Sequence, residues 1–73
     1  MTKEKDIITI TFCNIETGDI GTTLAKSHMT LEELLFIYNN KYKHKIAKLY
    51  NKYYQEIPLS YRIQGNLKLF YVE

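Results

Sequence analysis

Met29-Thr30-Leu31-Glu32-Glu33-Leu34 is the segment that decides the predicted fold, because it carries the start signals of an α-helix. The Thr30 hydroxyl can accept the amide proton of Glu33, and the Glu33 carboxylate can accept the amide proton of Thr30, which makes a capping box. Met29 and Leu34 flank this box at the positions of a hydrophobic staple. A helix is therefore expected to start here.

Apolar residues follow this start at the spacing of one helix face. The spacing of 4-3-4-4-3-4-4 is carried by Leu31, Leu35, Tyr38, Tyr42, Ile46, Leu49, Tyr53 and Ile57. This period keeps the apolar stripe on one side of a helix. The stripe keeps its phase across Asn39-Asn40, and Pro58 ends it because the residue before proline disfavours helical angles. The pattern predicts one long helix over 29–57.

Strand patterns lie on both sides of this helix. Residues 6–15 alternate apolar and polar positions, residues 20–27 do so more weakly, and the turn at 16–19 contains Gly18, which can adopt a positive φ. Two short strands, 60–64 and 67–72, are predicted around a Gly65-Asn66 turn. The predicted fold is α+β, strand-strand-helix-strand-strand, with a small antiparallel sheet and the long helix across one face.

The 73 residues indicate one domain, 1–73, with residues 1–5 frayed. A domain of this size is marginally stable alone. The single Cys13 excludes an internal disulfide, and Cys13, His28 and His44 lack the spacing of metal ligands, so neither a metal nor a cofactor is predicted. Phe36, Ile37 and Tyr54 fall off the stripe as surplus apolar surface. We therefore expect self-association, as a homodimer.

Composition bounds the cell compartment and the source. The net charge is only +2, and the sequence shows no signal peptide and no apolar run that could cross a bilayer. One free cysteine without a secretion signal favours the cytoplasm. Richness in Lys, Asn, Ile and Tyr is typical of AT-rich genomes, which points to a low-GC bacterium, its phage or a mobile element. The expected location is the cytoplasm of a bacterial host cell.

No enzyme motif is present, so the chain is predicted not to be an enzyme. The sequence has no glycine-rich phosphate loop, no HExxH and no nucleophile elbow. Cys13 with His28 or His44 is the one conceivable nucleophile pair. A small buried cysteine on a strand is the favoured interpretation, since free Cys behaves as a small hydrophobe.

Nucleic-acid binding is the alternative function. On the predicted helix, Lys41, Lys45, Lys48 and Lys52 are spaced 4-3-4 and would form one ridge. Such a ridge suits a phosphate backbone, but it is also an ordinary solvated face near a helix C-terminus. Aromatic residues that alternate with basic ones on strands are a weaker signal, at Tyr61, Phe70 and Tyr71 with Arg62 and Lys68.

Carboxylates and apolar side chains come together at the helix start and the first hairpin turn. A tight protein complex needs an apolar centre within a polar rim, and carboxylates can imitate phosphates. The predicted partner-binding residues are Asp19, Glu32, Glu33, Leu34, Phe36, Ile37 and Tyr38. The predicted function is a small non-enzymatic inhibitor or interaction module that blocks a host DNA-processing or defence protein.

Part of the chain resembles the small phage-encoded inhibitors of uracil-DNA glycosylase, the dimeric hairpin-plus-helix kind. The resemblance lies in Asp6-Ile7-Ile8-Thr9-Ile10, Gly18, and Leu31-Glu32-Glu33-Leu34 running to Tyr38 and Asn40, and it covers about residues 6–50. It implies DNA mimicry, with paired helices gripping a loop of the enzyme, Leu34 at a groove position, and Glu32, Glu33 and Tyr38 beside it. This chain departs from those inhibitors in its basic net charge and its additional C-terminal hairpin.

Overall fold

A computed structural model describes residues 7–73 of the chain, and the predictions for residues 1–6 lie outside this range. Within it, one helix packs on a mixed sheet of five strands, so the α+β prediction is confirmed. The elements are β1 (Ile7–Asn14), β2 (Ile20–Lys26), α1 (Leu31–Tyr42), β3 (Leu49–Tyr50), β4 (Glu56–Ile57) and β5 (Leu67–Tyr71).

The sheet is mixed where the sequence predicted an antiparallel one. Its strand order is β2-β1-β5-β3-β4, and the central strands β1 and β5 run parallel, while the other pairs are antiparallel. The parallel pair joins β1 and β5, which are far apart in the sequence, with α1 in the connection. No local sequence pattern predicts this pairing.

The first hairpin forms as predicted. Its two strands pair over seven residues without a bulge inside the ladder, from Ile7↔Lys26 to Cys13↔Ile20. Gly18 adopts φ of 80° in the turn, where a side chain would be strained. Asn14 stabilises the turn because its Oδ1 accepts the amide protons of Glu16 and Thr17 at 2.8 and 3.1 Å.

The capping box of α1 is confirmed in both directions. Thr30 N donates to the Glu33 carboxylate at 3.0 Å, and Glu33 N donates to the Thr30 hydroxyl at 3.2 Å. The predicted helix length is wrong, since α1 ends at Tyr42 and Lys43 takes left-handed angles, φ 61° and ψ 36°. Asn39 fixes this end because its side-chain amide donates to Ile46 O and accepts from Ile46 N, both at 3.0 Å.

The core lies between α1 and one face of the sheet. It contains Ile8, Ile10, Phe12, Ala25, Leu31, Leu34, Leu35, Tyr38, Ile46, Leu49, Ile63, Leu69 and Tyr71. Ile46 and Leu49 were predicted on the buried side of a helix. They are buried, but they reach the core from the extended chain after α1. Single apolar positions of this kind satisfy a helical and an extended path equally well.

The predicted strand 60–64 does not form a hairpin with β5. Instead its backbone follows the start of α1, with a single bridge between Thr30 and Arg62. Tyr61 O and Leu59 O accept the amide protons of Leu31 and Glu32, both at 3.0 Å. These bonds occupy N-terminal amide donors of the helix that otherwise lack partners. The N-terminal end of α1 therefore offers no free anion site.

Candidate functional site

A groove lies between the first two turns of α1 and the end of β2, and we call it the α1–β2 groove. Its volume is about 680 Å³, and its lining consists of Lys26, Ser27, His28, Met29, Glu32, Glu33, Phe36 and Ile37. Only Ser27, His28, Met29 and Thr30 separate β2 from α1. This short connection is why the strand end and the helix start form one surface.

Apolar side chains form the centre of the groove. Phe36 is 71% exposed and Ile37 is 47% exposed, although both are large hydrophobic residues in the middle of a helix. Both point away from the side of α1 that carries the buried residues Leu31, Leu34, Leu35 and Tyr38. Two neighbouring exposed hydrophobic residues over a cavity are a typical binding feature.

Carboxylates border this apolar centre. Glu32 and Glu33 are both exposed in the first turn of α1, where the helix dipole favours negative charge. The Glu33 carboxylate is already engaged as the capping group of Thr30. Glu32 is therefore the carboxylate of this pair that can meet a partner without a change at the helix start.

Three predicted site residues do not join this surface. Leu34 and Tyr38 are buried, at 1% and 5% exposure, so neither side chain can contact a partner while the fold is intact. Asp19 is exposed, but it directly precedes β2, whereas Glu32 borders the last residue of β2. Seven strand residues separate the two ends, about 20 Å. The structure thus groups Glu32, Glu33, Phe36 and Ile37, and places Asp19 elsewhere.

The burial of Tyr38 follows from its ring contacts. Its ring lies 4.2 Å from that of Phe12 and 4.8 Å from that of Tyr42, and it stacks on His44 at 5.4 Å. Burial, with a smaller contribution from the nearby Tyr71, raises the pKa of the Tyr38 phenol above its ordinary value. A neutral phenol inside an aromatic cluster is a structural residue rather than a reactive one.

The predicted lysine ridge is wrong, because it required a helix beyond Tyr42. Lys41 is on α1, but Lys45 and Lys48 lie between α1 and β3, and Lys52 lies in the turn between β3 and β4. Lys45 donates its backbone amide to Glu73 at 2.8 Å, and Lys52 lies over the Tyr53 ring at 5.4 Å. Because three of these lysines are not on a helix, their 4-3-4 spacing no longer places the four ammonium groups on one face.

The cysteine and histidines are dispersed over the molecule. Cys13 is half-buried on the sheet face away from α1, His28 follows β2, and His44 packs on Tyr38 beyond the end of α1. Among residues 7–73, no three His, Cys, Asp or Glu side chains come together as metal ligands. The helix described in this range has 12 residues and is too short to cross a bilayer.

Sequence reasoning missed Lys26 and Met29 as residues of the α1–β2 groove. Lys41 lines a second cavity of about 350 Å³ with Thr22, Thr23, Leu24 and Ile37, further along the same side of β2. The available signal was the short link between strand and helix, which requires the two elements to be neighbours. No family model matches this chain, and no curated protein matches its sequence.

Proposed function

We propose that this protein is a small non-enzymatic interaction module that binds another protein through the α1–β2 groove and blocks its action. The observation that carries the proposal is the exposure of Phe36 and Ile37 over a cavity, next to the exposed carboxylate of Glu32. An apolar centre bordered by charged groups is the composition of a protein interface. Large apolar side chains at such a centre supply most of the binding energy.

The proposed target is a DNA-processing or defence protein in the cytoplasm of a bacterial host, with the chain supplied by a phage or mobile element. Uracil-DNA glycosylase is the most specific form of this proposal, and it rests on the sequence resemblance alone. Glu32 is available to imitate a phosphate in this form, whereas the Glu33 carboxylate is engaged in the capping box. Asp19 is not part of the same surface, and Leu34 is not exposed to fill a groove position.

Two substitutions of equally exposed aromatic residues test the surface. Phe36 and Tyr53 are each 71% exposed, but Tyr53 lies in the turn between β3 and β4, away from the groove. The chain is immobilised, bound proteins are captured from bacterial lysate, and the activity of the captured protein is measured against added chain. We expect stoichiometric inhibition that Phe36→Ser weakens by at least tenfold, about 1.4 kcal/mol, and that Tyr53→Ser leaves unchanged.

Glu32→Lys tests the electrostatic part of the proposal. Glu32 does not cap the helix, so its replacement leaves the capping box intact. Inhibition of a protein with a basic DNA-binding face should fall at least tenfold, and uracil excision is the first activity to assay. If Phe36→Ser and Glu32→Lys, both folded by circular dichroism, inhibit as well as the unchanged chain, the groove is not the working surface.

A second candidate function is single-strand nucleic-acid binding on the sheet face opposite α1. Tyr50 and Phe70 are cross-strand neighbours there, Tyr54 packs edge-on against Phe70 at 6.1 Å, and Lys68 Nζ lies 5.5 Å from the Phe70 ring centre. Aromatic rings beside cations on a sheet form a stacking platform. Affinity for a fluorescent oligonucleotide that falls steeply with salt and is lost in Tyr54→Ala would support this function.

A further inference from the structure

The α1–β2 groove runs beside an open edge of the sheet. In the order β2-β1-β5-β3-β4, β2 has no neighbour on its outer side among residues 7–73. An unprotected edge strand pairs readily with another extended chain, and natural proteins usually protect it with charges, proline or a bulge. β2 contains one charged residue, Lys26, and its pairing with β1 is unbroken over seven residues.

The backbone groups that face outward from β2 follow from the pairing pattern. Asn14 N donates to Asp19 O at 2.9 Å, and hydrogen-bonded and non-hydrogen-bonded pairs alternate along an antiparallel ladder. The odd-numbered residues of β1 bond towards β5, as shown by Ile15 N donating to Tyr71 O at 2.8 Å. The N–H groups of Gly21, Thr23 and Ala25 therefore point to β1.

The residues between them point the other way. The N–H and C=O groups of Ile20, Thr22 and Leu24 and the N–H of Lys26 face the open edge, and we call these four the outward-facing residues. The carbonyl of Lys26 is already used by Met29 N at 3.2 Å. Seven donors and acceptors in a row, at strand spacing, fit the backbone of one more extended chain.

Charge is distributed unevenly along this edge. Lys41 lies at one end, near Thr23, and Glu32 lies at the other, near Lys26, with Ile37 between them. The nine residue steps from Glu32 to Lys41 along α1 cover about 14 Å. Four residue steps along an added strand cover nearly the same distance, about 14 Å. Side chains at i, i+2 and i+4 of a strand share one face. A strand with opposite charges at i and i+4 and a bulky apolar residue at i+2 is complementary to this surface.

We propose that the occupant of the α1–β2 groove is an extended segment of a partner protein, which adds to β2 as a sixth, antiparallel strand. The proposal rests on the proposed function and names the partner's chemistry: a basic residue near Glu32, an apolar residue against Phe36 and Ile37, and an acidic residue near Lys41. The antiparallel direction is the commoner pairing in sheets.

A second copy of this chain fits less well as the occupant. Its β2 would present Gly21, Thr23 and Ala25 on the groove side, because these residues share the face of β2 that is turned to α1. Side chains of this size leave the space between Met29, Phe36 and Ile37 unfilled. The homodimer expected from the sequence is therefore an alternative outcome of the test.

The test uses a synthetic peptide, acetyl-Thr-Lys-Thr-Ile-Thr-Glu-Thr-amide, titrated into the isotope-labelled chain and followed by NMR. We expect saturable shifts at β2 and Ile37, together with slower amide exchange at Thr22 and Leu24. Exchange at Thr23 and Ala25 should not change, since their amides already bond to β1. The peptide with Lys and Glu exchanged should bind at least tenfold more weakly.

Backbone methylation separates strand addition from side-chain binding. Two peptides are N-methylated at alternate nitrogens in opposite phases, and strand addition predicts that one phase abolishes binding while the other retains it. Equal binding of both phases would overturn strand addition, and no saturable binding of any peptide would also overturn it. Neither result decides the proposed function, which the Phe36→Ser inhibition assay tests separately.

Sedimentation of the free chain tests whether a second copy of the chain occupies the groove. A mass near 8.7 kDa that stays constant between 10 and 500 µM, about a fifty-fold range, agrees with a groove left open for a foreign segment. A dimer in this range whose Thr22 and Leu24 amides are protected would show that a second copy occupies the edge, and would overturn the proposal.

Discussion

The two edge strands of the sheet, β4 and β2, differ in how well they are protected against pairing with a further strand. β4 is two residues long, carries Glu56 and is followed directly by Pro58, which cannot donate to a further strand. β2 is seven residues long, has two exposed hydrophobic residues, Ile20 and Leu24, and lies beside the groove under Phe36. Proteins avoid long open edges because such edges aggregate. Among residues 7–73, the chain protects one edge of the sheet and leaves the other open, and this open edge is where we propose that a partner binds.

The largest effect is expected at Gly21, the second residue of β2. A methyl group placed on Gly21 would lie 2.6 Å from Tyr38 Oη, and the Tyr38 ring is held in the core. Gly21→Ala should therefore lower the free energy of unfolding by about 1–3 kcal/mol, measured by urea denaturation. Adding Tyr38→Phe removes the oxygen that clashes and should recover much of this loss. An unchanged Gly21→Ala variant would show that Tyr38 is not fixed against β2.

The protected edge depends on one asparagine. Asn51 Oδ1 accepts the amide protons of Tyr53 and Gln55 at 2.8 and 3.0 Å, and its Nδ2 donates to Gln55 Oε1 at 3.0 Å. Asn51→Ala removes these bonds and should cost about 1–2 kcal/mol. In urea denaturation, we expect that loss while partner binding at the groove stays unchanged. A loss of binding equal to that of Phe36→Ser would mean that the two edges are not independent.

The helix start should contribute a smaller amount. Thr30→Ala removes the side-chain acceptor for Glu33 N and should cost about 1 kcal/mol, with an unchanged m-value in a chemical melt. Because Leu31 N and Glu32 N bond to Tyr61 O and Leu59 O instead, these two bonds should survive the substitution. An unchanged free energy of unfolding in Thr30→Ala would mean that the bonds to residues 59–61 alone hold the first turn of α1.

The smallest effect is expected at Glu73, and it depends on pH. Hydrogen bonds from Lys45 N, then from His44, lower the pKa of the Glu73 carboxyl below its ordinary value. A lowered pKa in the folded state means that the stabilisation is present above the ordinary value and is lost as the pH falls through the lowered one. NMR titration should show faster exchange of the Lys45 amide in that acidic range, and in Glu73→Gln at neutral pH.

Local signals in the sequence predicted the first hairpin and the start of α1 correctly. The capping box uses residues three apart, and the hairpin turn uses residues within one short loop, so each is fixed by its neighbours. The exposure of Phe36 and Ile37 also agrees with their position off the apolar stripe. The burial of Ile46 and Leu49 was predicted correctly, but these residues were wrongly placed on a helix.

Features that depend on distant residues could not be predicted in this way. The end of α1 is set by Asn39 bonding to Ile46, a contact that a propensity argument does not include. The lysine ridge failed together with the helix that carried it. The surface was half predicted: its helix residues were found, but Lys26 of the groove and Thr23 and Leu24 of the neighbouring cavity were not. Their contribution depends on β2 being the edge strand, which only the completed sheet determines.

Amide hydrogen exchange along β2 in the free protein tests the central claim most directly. An open edge predicts alternation: fast exchange at Thr22 and Leu24, whose amides face outward, and slow exchange at Thr23 and Ala25, whose amides bond to β1. The alternation should persist from dilute to concentrated samples. Uniformly slow exchange along β2 would show that another part of the chain or a second copy already covers this edge, and would contradict the account.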